Sequence, residues 1–338
     1  MTVNRIDDRD TWDTFVDESP SGLLFHKWDY LNLTAKHTES TLIPCAISKG
    51  DELICVFPLF CKRMHGINAV FSPPPLTTIP HLGCVMSRNF EGLKQSKKES
   101  LLGMVAEEIQ DEIRSFSPNF LSITFVPEFN DVRHYLWNRC DARVRYTYTI
   151  NLERSLEELW NNLHTKLRNK LKKAAGAGLR LEKTTDVATF HRLISERFRD
   201  PSLDIPPIRR DYLEDLMRAY PERIGIYFLY DAEDEVTAVV AAQEYKRFLL
   251  WIGTPKVQTA HAANEYLQWL LIQRAKSEGY RVFENMGANN PDLVFFKSKF
   301  NPDLKMYFEI EEKDTLGSVS VWAYLTFVKR LMITAGRV

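Results

Sequence analysis

The run FFKSKF (residues 295–300) sets one ammonium, Lys297, among Phe295, Phe296 and Phe300. A cation among rings can hold a phosphate or an oxyanion; equally, its aliphatic stem can cover the rings while the head stays in water. Two carboxylates on apolar segments are candidate proton acceptors: Glu244 at the end of VTAVVAAQE, and Glu284 inside RVFENMG. On an alternating strand Glu284 points with Val282 and Met286, away from Phe283 and Asn285, so it needs a substrate or an ionic partner. A second run, KLRNKLKKAAGAGLRL (166–181), concentrates charge: Leu159 to Leu181 holds six Lys or Arg and no Asp or Glu.

Other constellations are sparse. His261 and Glu265 stand one helical turn apart, but no third metal ligand is near, so no metal is expected. No Gly-x-Ser-x-Gly or Walker loop occurs. The five cysteines form no CxxC pair, and four sit among apolar residues, where a thiol acts as a small hydrophobe.

The 338 residues, 44% hydrophobic and 26% charged, have the balance of a soluble globular protein and length for two domains. A net charge of −1 gives no global attraction to nucleic acid or anionic lipid, so any basic function is local. MTVNRIDDRDTWD lacks the apolar centre of a signal peptide, and no uncharged apolar run reaches about 18 residues. A cytoplasmic protein is expected. The terminal VSVWAYLTFVKRLM is apolar enough to rest on a membrane, but reads first as a packed helix.

The elements that position these residues follow from periodicity. Ser155-Leu156-Glu157-Glu158 is a capping box. Leu156, Leu159, Trp160, Leu163, Leu167, Leu171 and Ala174 then predict one helix with a single buried stripe, ended by Gly176 and Gly178. Most of its cations fall on the outer face; Lys170 falls within the stripe. Beyond it the pattern predicts a strand (179–183), helices (186–199 and 208–220), three strands with tight turns (224–254) and a long helix (262–278). A strand (280–286), a short helix (292–300) and a strand (304–311) close the unit. The first 150 residues repeat much of this: helices over 9–18, 25–37 and 94–114, strands over 41–48, 52–61 and 69–72. The ends of the halves align without gaps at an offset of 160, placing Trp137 opposite Lys297. A duplicated domain is expected, 1–150 and 151–338.

This order resembles the GNAT acyltransferase fold, and its doubling resembles the tandem-GNAT FemAB/FemX group with its BioF-like acetyltransferase relatives. The resemblance rests on LWNNLHTKLRNKLKKAAGAGLRL, on ANEYLQWLLIQRAKSEGYRVFENMGANNPDLVFFKSKF, and on VFSPPPLTTIPHLGCV, where His81 replaces the usual tyrosine. It implies an α/β (α+β) protein of two GNAT units, each a mixed, mostly antiparallel sheet flanked by helices. The first is expected to be degenerate or acceptor-binding; the second carries the transfer site.

The resemblance further implies that the fourth and fifth strands of the second unit splay apart, exposing N–H groups to an acyl carbonyl. Donor contacts would then come from Trp251, Ile252, Gly253, Lys256 and Asn264, with Lys297 stabilising negative charge and Glu284 or Glu244 taking the amine proton. Acceptor contacts would come from Tyr227, Tyr245, His81, Arg168 and Lys170. No glycine lies between Gly253 and Gly279, so the usual pyrophosphate cradle is missing. Acyl-CoA and aminoacyl-tRNA both stay open as co-substrate; no permanently bound cofactor is implied. The acceptor is an amine, small or on a cell-envelope precursor, with peripheral membrane contact possible and no DNA. The alternative is a non-catalytic duplicated module holding an acidic ligand or RNA through the basic helix.

Overall fold

The computed structural model of the chain describes residues 2–64, 66–198, 208–253 and 262–323. Its first elements are β1 (Thr2–Arg5), α1 (Arg9–Glu18), α2 (Trp28–Thr38), β2 (Thr41–Lys49), β3 (Glu52–Met64), β4 (Ile67–Ser72) and β5 (Val85–Met86). Then come α3 (Gln95–Ser115), β6 (Phe120–Thr124), α4 (Arg133–Trp137), β7 (Asp141–Asn151), α5 (Leu156–Asn162), α6 (Thr165–Ala175) and β8 (Arg180–Thr184). α7 (Val187–Phe198), α8 (Arg210–Ala219), β9 (Ile224–Tyr230), β10 (Val236–Glu244), β11 (Phe248–Ile252) and α9 (Ala263–Ser277) follow. The last are β12 (Val282–Asn285), α10 (Pro291–Lys297), β13 (Asp303–Lys313) and α11 (Thr315–Ala323). Among the described residues no helix is long and apolar enough to cross a membrane.

The chain forms two compact units, one of Met1–Arg145 with Met306–Val338, the other of Tyr146–Lys305. In the first the strand order is β1-β2-β3-β4-β6-β13, with β5 pairing β3; in the second it is β7-β12-β11-β10-β9-β8. The expectation that the strand after Leu304 closes the second unit is corrected. β13 pairs antiparallel with β6, Ile310 opposite Ile123, and both side chains are fully buried. Arg145 donates to Glu309 and Arg143 pairs with Glu311, fixing that strand in the first unit.

The predicted single helix over 156–174 is two. The capping box at Ser155 forms, Ser155 Oγ accepting from Glu158 N–H at 3.1 Å. The helix then stops after Asn162. His164 Nδ1 caps α6 by accepting from Lys166 N–H, while its own N–H donates to Lys299 O at 2.9 Å. The apolar stripe runs through the break, so periodicity alone gives no sign of it. The new phase takes Lys170 out of the stripe, leaving it exposed and paired with Glu265 at 3.0 Å. Leu163, Leu167 and Leu171 pack with Leu267, Leu271 and Ile272 of α9 and with Tyr227, Phe248 and Phe283 of the sheet.

In the first unit the parallel β4–β6 ladder runs from Ala69↔Phe120 to Ser72↔Ile123. It resumes after the proline-rich loop: Leu82 bridges Phe125, and its N–H donates to Thr124 O at 2.8 Å. Leu76 and Thr78, with φ of 64° and 57°, hold the loop in left-handed backbone that branched or bulky side chains rarely adopt. Gly83 follows at φ +63°, where a Cβ would meet the Phe125 ring at 2.7 Å. Burial pushes the Cys61 thiol up to about 11 and Cys140 to about 12, while Cys45, Cys55 and Cys84 are fully buried. These are core thiols, not nucleophiles.

Gly83→Ala is expected to destabilise the first unit by about 2–4 kcal/mol, combining a left-handed alanine with an overpacked ring. Gly50→Ala, at φ +62° with nothing within 4 Å, is the comparison and should cost about 1 kcal/mol. Scanning calorimetry of the two variants separates the contributions.

Candidate functional site

In the second unit the strands corresponding to that ladder are left open. β11 and β12 pair in parallel at Phe248↔Phe283, Leu249↔Glu284 and Leu250↔Asn285. Among the described residues no bridge extends the ladder, although β11 continues through Trp251 and Ile252. Two features accompany the end of the pairing. On the β10 side the register passes from Ala242↔Leu250 to Ala241↔Ile252, so Trp251 is the extra residue of a bulge, which bends and twists β11. On the other side β12 ends at Asn285 and the chain turns at Gly287, φ +84°.

Lys297 stands at that opening. Its ammonium donates to Met286 O and, at 3.3 Å, to Gly287 O, the first carbonyls beyond β12. The three phenylalanines do not enclose it. Phe295 is 72% exposed, Phe300 is buried, and Phe296 packs on the apolar cluster of the sheet. Trp251 and Ile252 are nearly buried just past the last rung, Gly253 is exposed, and Asn264 lies half-buried in the first turn of α9. The N-cap position of α9 is Ala262, which makes no side-chain hydrogen bond. Lys256 lies outside the described residues.

Glu284 is fully buried and has the ionic partner its strand position requires. Oε2 pairs with Arg247 Nη1 at 3.0 Å, and Oε1 accepts from Thr147 Oγ1 at 3.1 Å. Removing this carboxylate would leave Arg247, largely buried itself, without its anion. Alternation puts Glu284 on a face where it needs an ionic partner, while Arg247 falls in a turn between two strands. The parallel pairing that brings residues 247 and 284 together has no local signature.

The structure does not bring Glu244 to the opening. It lies beside Phe248, at the other end of β11 from Ile252, four strand steps or roughly 13 Å away. Its Oε1 accepts from Tyr227 Oη at 2.7 Å, and Lys183 Nζ pairs with it at 2.9 Å. Gly225 leaves the space this carboxylate fills; a Cβ there would collide with Oε1. Burial first, and the bond to Glu244 second, push the Tyr227 hydroxyl well above its usual range, so it stays a neutral donor. Tyr245 belongs to the same end, its ring flanked by Arg223 and Lys246. Tyr227 is fully buried and presents nothing to an acceptor. His81 is also fully buried, in the first unit, with its ring 5.3 Å from that of Tyr307. Arg168 is half-buried and reaches Thr165 Oγ1 at 3.4 Å; Lys170 is held by Glu265. The expected residues thus divide between the end of the β11–β12 ladder (Trp251, Ile252, Gly253, Lys297), the first turn of α9 (Asn264) and other places.

The second unit thus has a bulged fourth strand, a long helix and a fifth strand that pairs in parallel with the fourth. Residues 161–297 match the sequence model of the Acetyltransferase (GNAT) domain family. No curated protein matches the chain by sequence. FemX has a similar structure, with TM-score 0.67 and 12% identity over 91% of this chain and 97% of its own. So does the C-terminal domain of a putative lysylphosphatidylglycerol synthetase from Agrobacterium fabrum, at TM-score 0.56 and 11% identity over 86% and 90%. A tandem GNAT protein from the clavulanic acid biosynthesis pathway matches at TM-score 0.50 and 12% identity over 92% and 98%. The chain therefore matches the GNAT domain model over residues 161–297 and shares the tandem fold of FemX.

Arg247→Ala is expected to destabilise the second unit by about 3–5 kcal/mol by stranding a buried carboxylate. Arg247→Met with Glu284→Gln should recover most of that loss. Denaturation midpoints of the single and double variants check it.

Proposed function

We propose that the protein is an N-acyltransferase whose second unit moves an acyl or aminoacyl group from acyl-CoA or aminoacyl-tRNA to an amine, on a small acceptor or a cell-envelope precursor. The observation that carries this reading is the three-rung β11–β12 ladder that stops at Leu250 and Asn285 with the Lys297 ammonium at its end. An acyl carbonyl laid in the opening meets the edge of β11 at Trp251 and Ile252 on one side and a fixed positive charge on the other. Attack by the amine nitrogen moves negative charge onto the carbonyl oxygen, and a preorganised cation stabilises that charge more than it stabilises the neutral ground state. The Met286 and Gly287 carbonyls hold Lys297 in place, so little reorganisation accompanies the step.

In this reading Glu284 and Glu244 are positioning groups. Glu284 locks β12 to Arg247 and Thr147, and Glu244 locks the far end of the sheet, so the amine proton leaves through solvent or with the leaving group. The first unit is non-catalytic and serves the acceptor. Two observations support this: Leu82 bridges Phe125 beyond the β4–β6 ladder, and Trp137 aligns with Lys297 at the offset of 160 residues.

Lys297→Ala should lower transfer to a panel of amino sugars and lysyl peptides by about 10²–10³-fold, the usual cost of an oxyanion-stabilising donor, with donor affinity changed far less. Lys297→Arg should retain part of the rate. Donor titration should saturate at one donor per chain. Unimpaired transfer by Lys297→Ala, measured with acetyl-CoA and with charged tRNA, would rule this reading out.

A further inference from the structure

The basic helix is the feature that the transfer cleft does not use. α6 carries Lys166, Arg168, Lys170, Lys172 and Lys173 with no acidic residue, on a chain whose net charge is only −1. Lys170 is neutralised by Glu265, whereas Lys166, Lys172 and Lys173 are exposed and make no ion pair among the described residues. The helix is about 16 Å long, more than one pyrophosphate spans. Leu167, Leu171 and Ala174 are buried in the unit and only the small Ala175 of its apolar residues is exposed, so it has no apolar face to sink into a bilayer.

The helix is also tied to the transfer cleft. His164, its N-cap, donates to Lys299 O at 2.9 Å, and Lys299 lies two residues beyond Lys297. The Lys299 ammonium sits 4.3 Å from the Phe295 ring centroid. Phe295 and Leu304, 72% and 54% exposed, bracket that turn in the chain. Unpaired lysines on α6, together with exposed apolar side chains on the turn that its N-cap bonds, match a protein surface of acidic and apolar residues.

We propose that α6 and the Phe295–Lys299 turn dock a small acidic carrier protein that delivers its acyl group on a phosphopantetheine arm. This rests on the transfer cleft lying between β11 and β12, and it names the carrier of the donor. The arm ends in the same thioester as acyl-CoA but has a single phosphodiester, which fits a chain lacking the glycine cradle for a pyrophosphate. The transfer balances without redox change. The acceptor nitrogen forms a bond to the thioester carbonyl carbon, the carbon–sulfur bond breaks, and the arm leaves as a thiol as the amine gives up a proton.

The test uses the full chain with a fluorescently labelled, acetylated acyl carrier protein, with acetyl-CoA and a single-stranded RNA dodecamer as comparisons. Micromolar binding of the carrier is expected, falling about tenfold or more as salt rises from about 50 to about 300 mM. Lys166→Gln/Lys172→Gln/Lys173→Gln should weaken it at least tenfold while leaving acetyl-CoA affinity and the thermal midpoint unchanged. Phe295→Ala should weaken it independently, and Lys297→Ala should leave docking intact while abolishing thioester turnover. Undiminished carrier binding by the triple variant overturns the proposal. So does RNA binding lost in that variant while the carrier is ignored. Lys297-dependent turnover of acetyl-CoA without carrier binding would refute this docking site and leave the acyltransferase reading standing. Carrier docking without turnover in any variant would do the reverse.

Discussion

A parallel ladder of only three rungs is the constraint from which the rest of the second unit follows. The Phe248 and Phe283 rings, stacked 5.5 Å apart at 5°, tie β11 to β12 at the base. The bulge at Trp251 and the turn at Gly287 then mark the end of their pairing. A sheet that stayed paired would bury every backbone donor and have nothing to offer a carbonyl. The cleft is thus a place where pairing is withheld, and its walls must be rigid for the withholding to be specific.

That rigidity comes from polar groups placed away from the opening. The Glu284–Arg247 pair is weak evidence for stability, since both charges lost their water, but its geometry admits one register of β12 against its neighbours. At the far end Glu244, Tyr227 and Lys183 form a second fixed cluster, for which Gly225 vacates the space. The first unit solves the same geometric problem in the opposite way. Leu82 and Gly83 return after the proline loop and complete its ladder, using left-handed backbone at Leu76 and Thr78.

Much of the fold was legible in the chain because it is written in local periods. The helix over Arg9–Glu18 is the one its spacing predicts, and the strands around Glu244 and Glu284 lie within a few residues of theirs. What was not legible depends on partners distant in sequence. The break at His164 leaves the apolar stripe in step, so only its bonds to Lys166 and Lys299 reveal it. β13 has no composition that assigns it to the first sheet, because a strand does not encode its neighbour. Lys297 stood out as a cation among rings, yet its partners are two carbonyls, and a backbone acceptor has no residue type to recognise. Glu244 ends one strand and Lys297 follows another, and only the register shows that they stand at opposite ends of the β11–β12 ladder.

The most direct test of the open ladder is hydrogen exchange of the full chain with and without saturating acetyl-CoA or charged tRNA. The account predicts that a bound donor slows exchange in peptides covering Leu249–Gly253 and Phe283–Ala288, and leaves those covering Val70–Val85 unchanged. Protection confined to the Val70–Val85 segment, or none at Leu249–Gly253 at saturation, would contradict it.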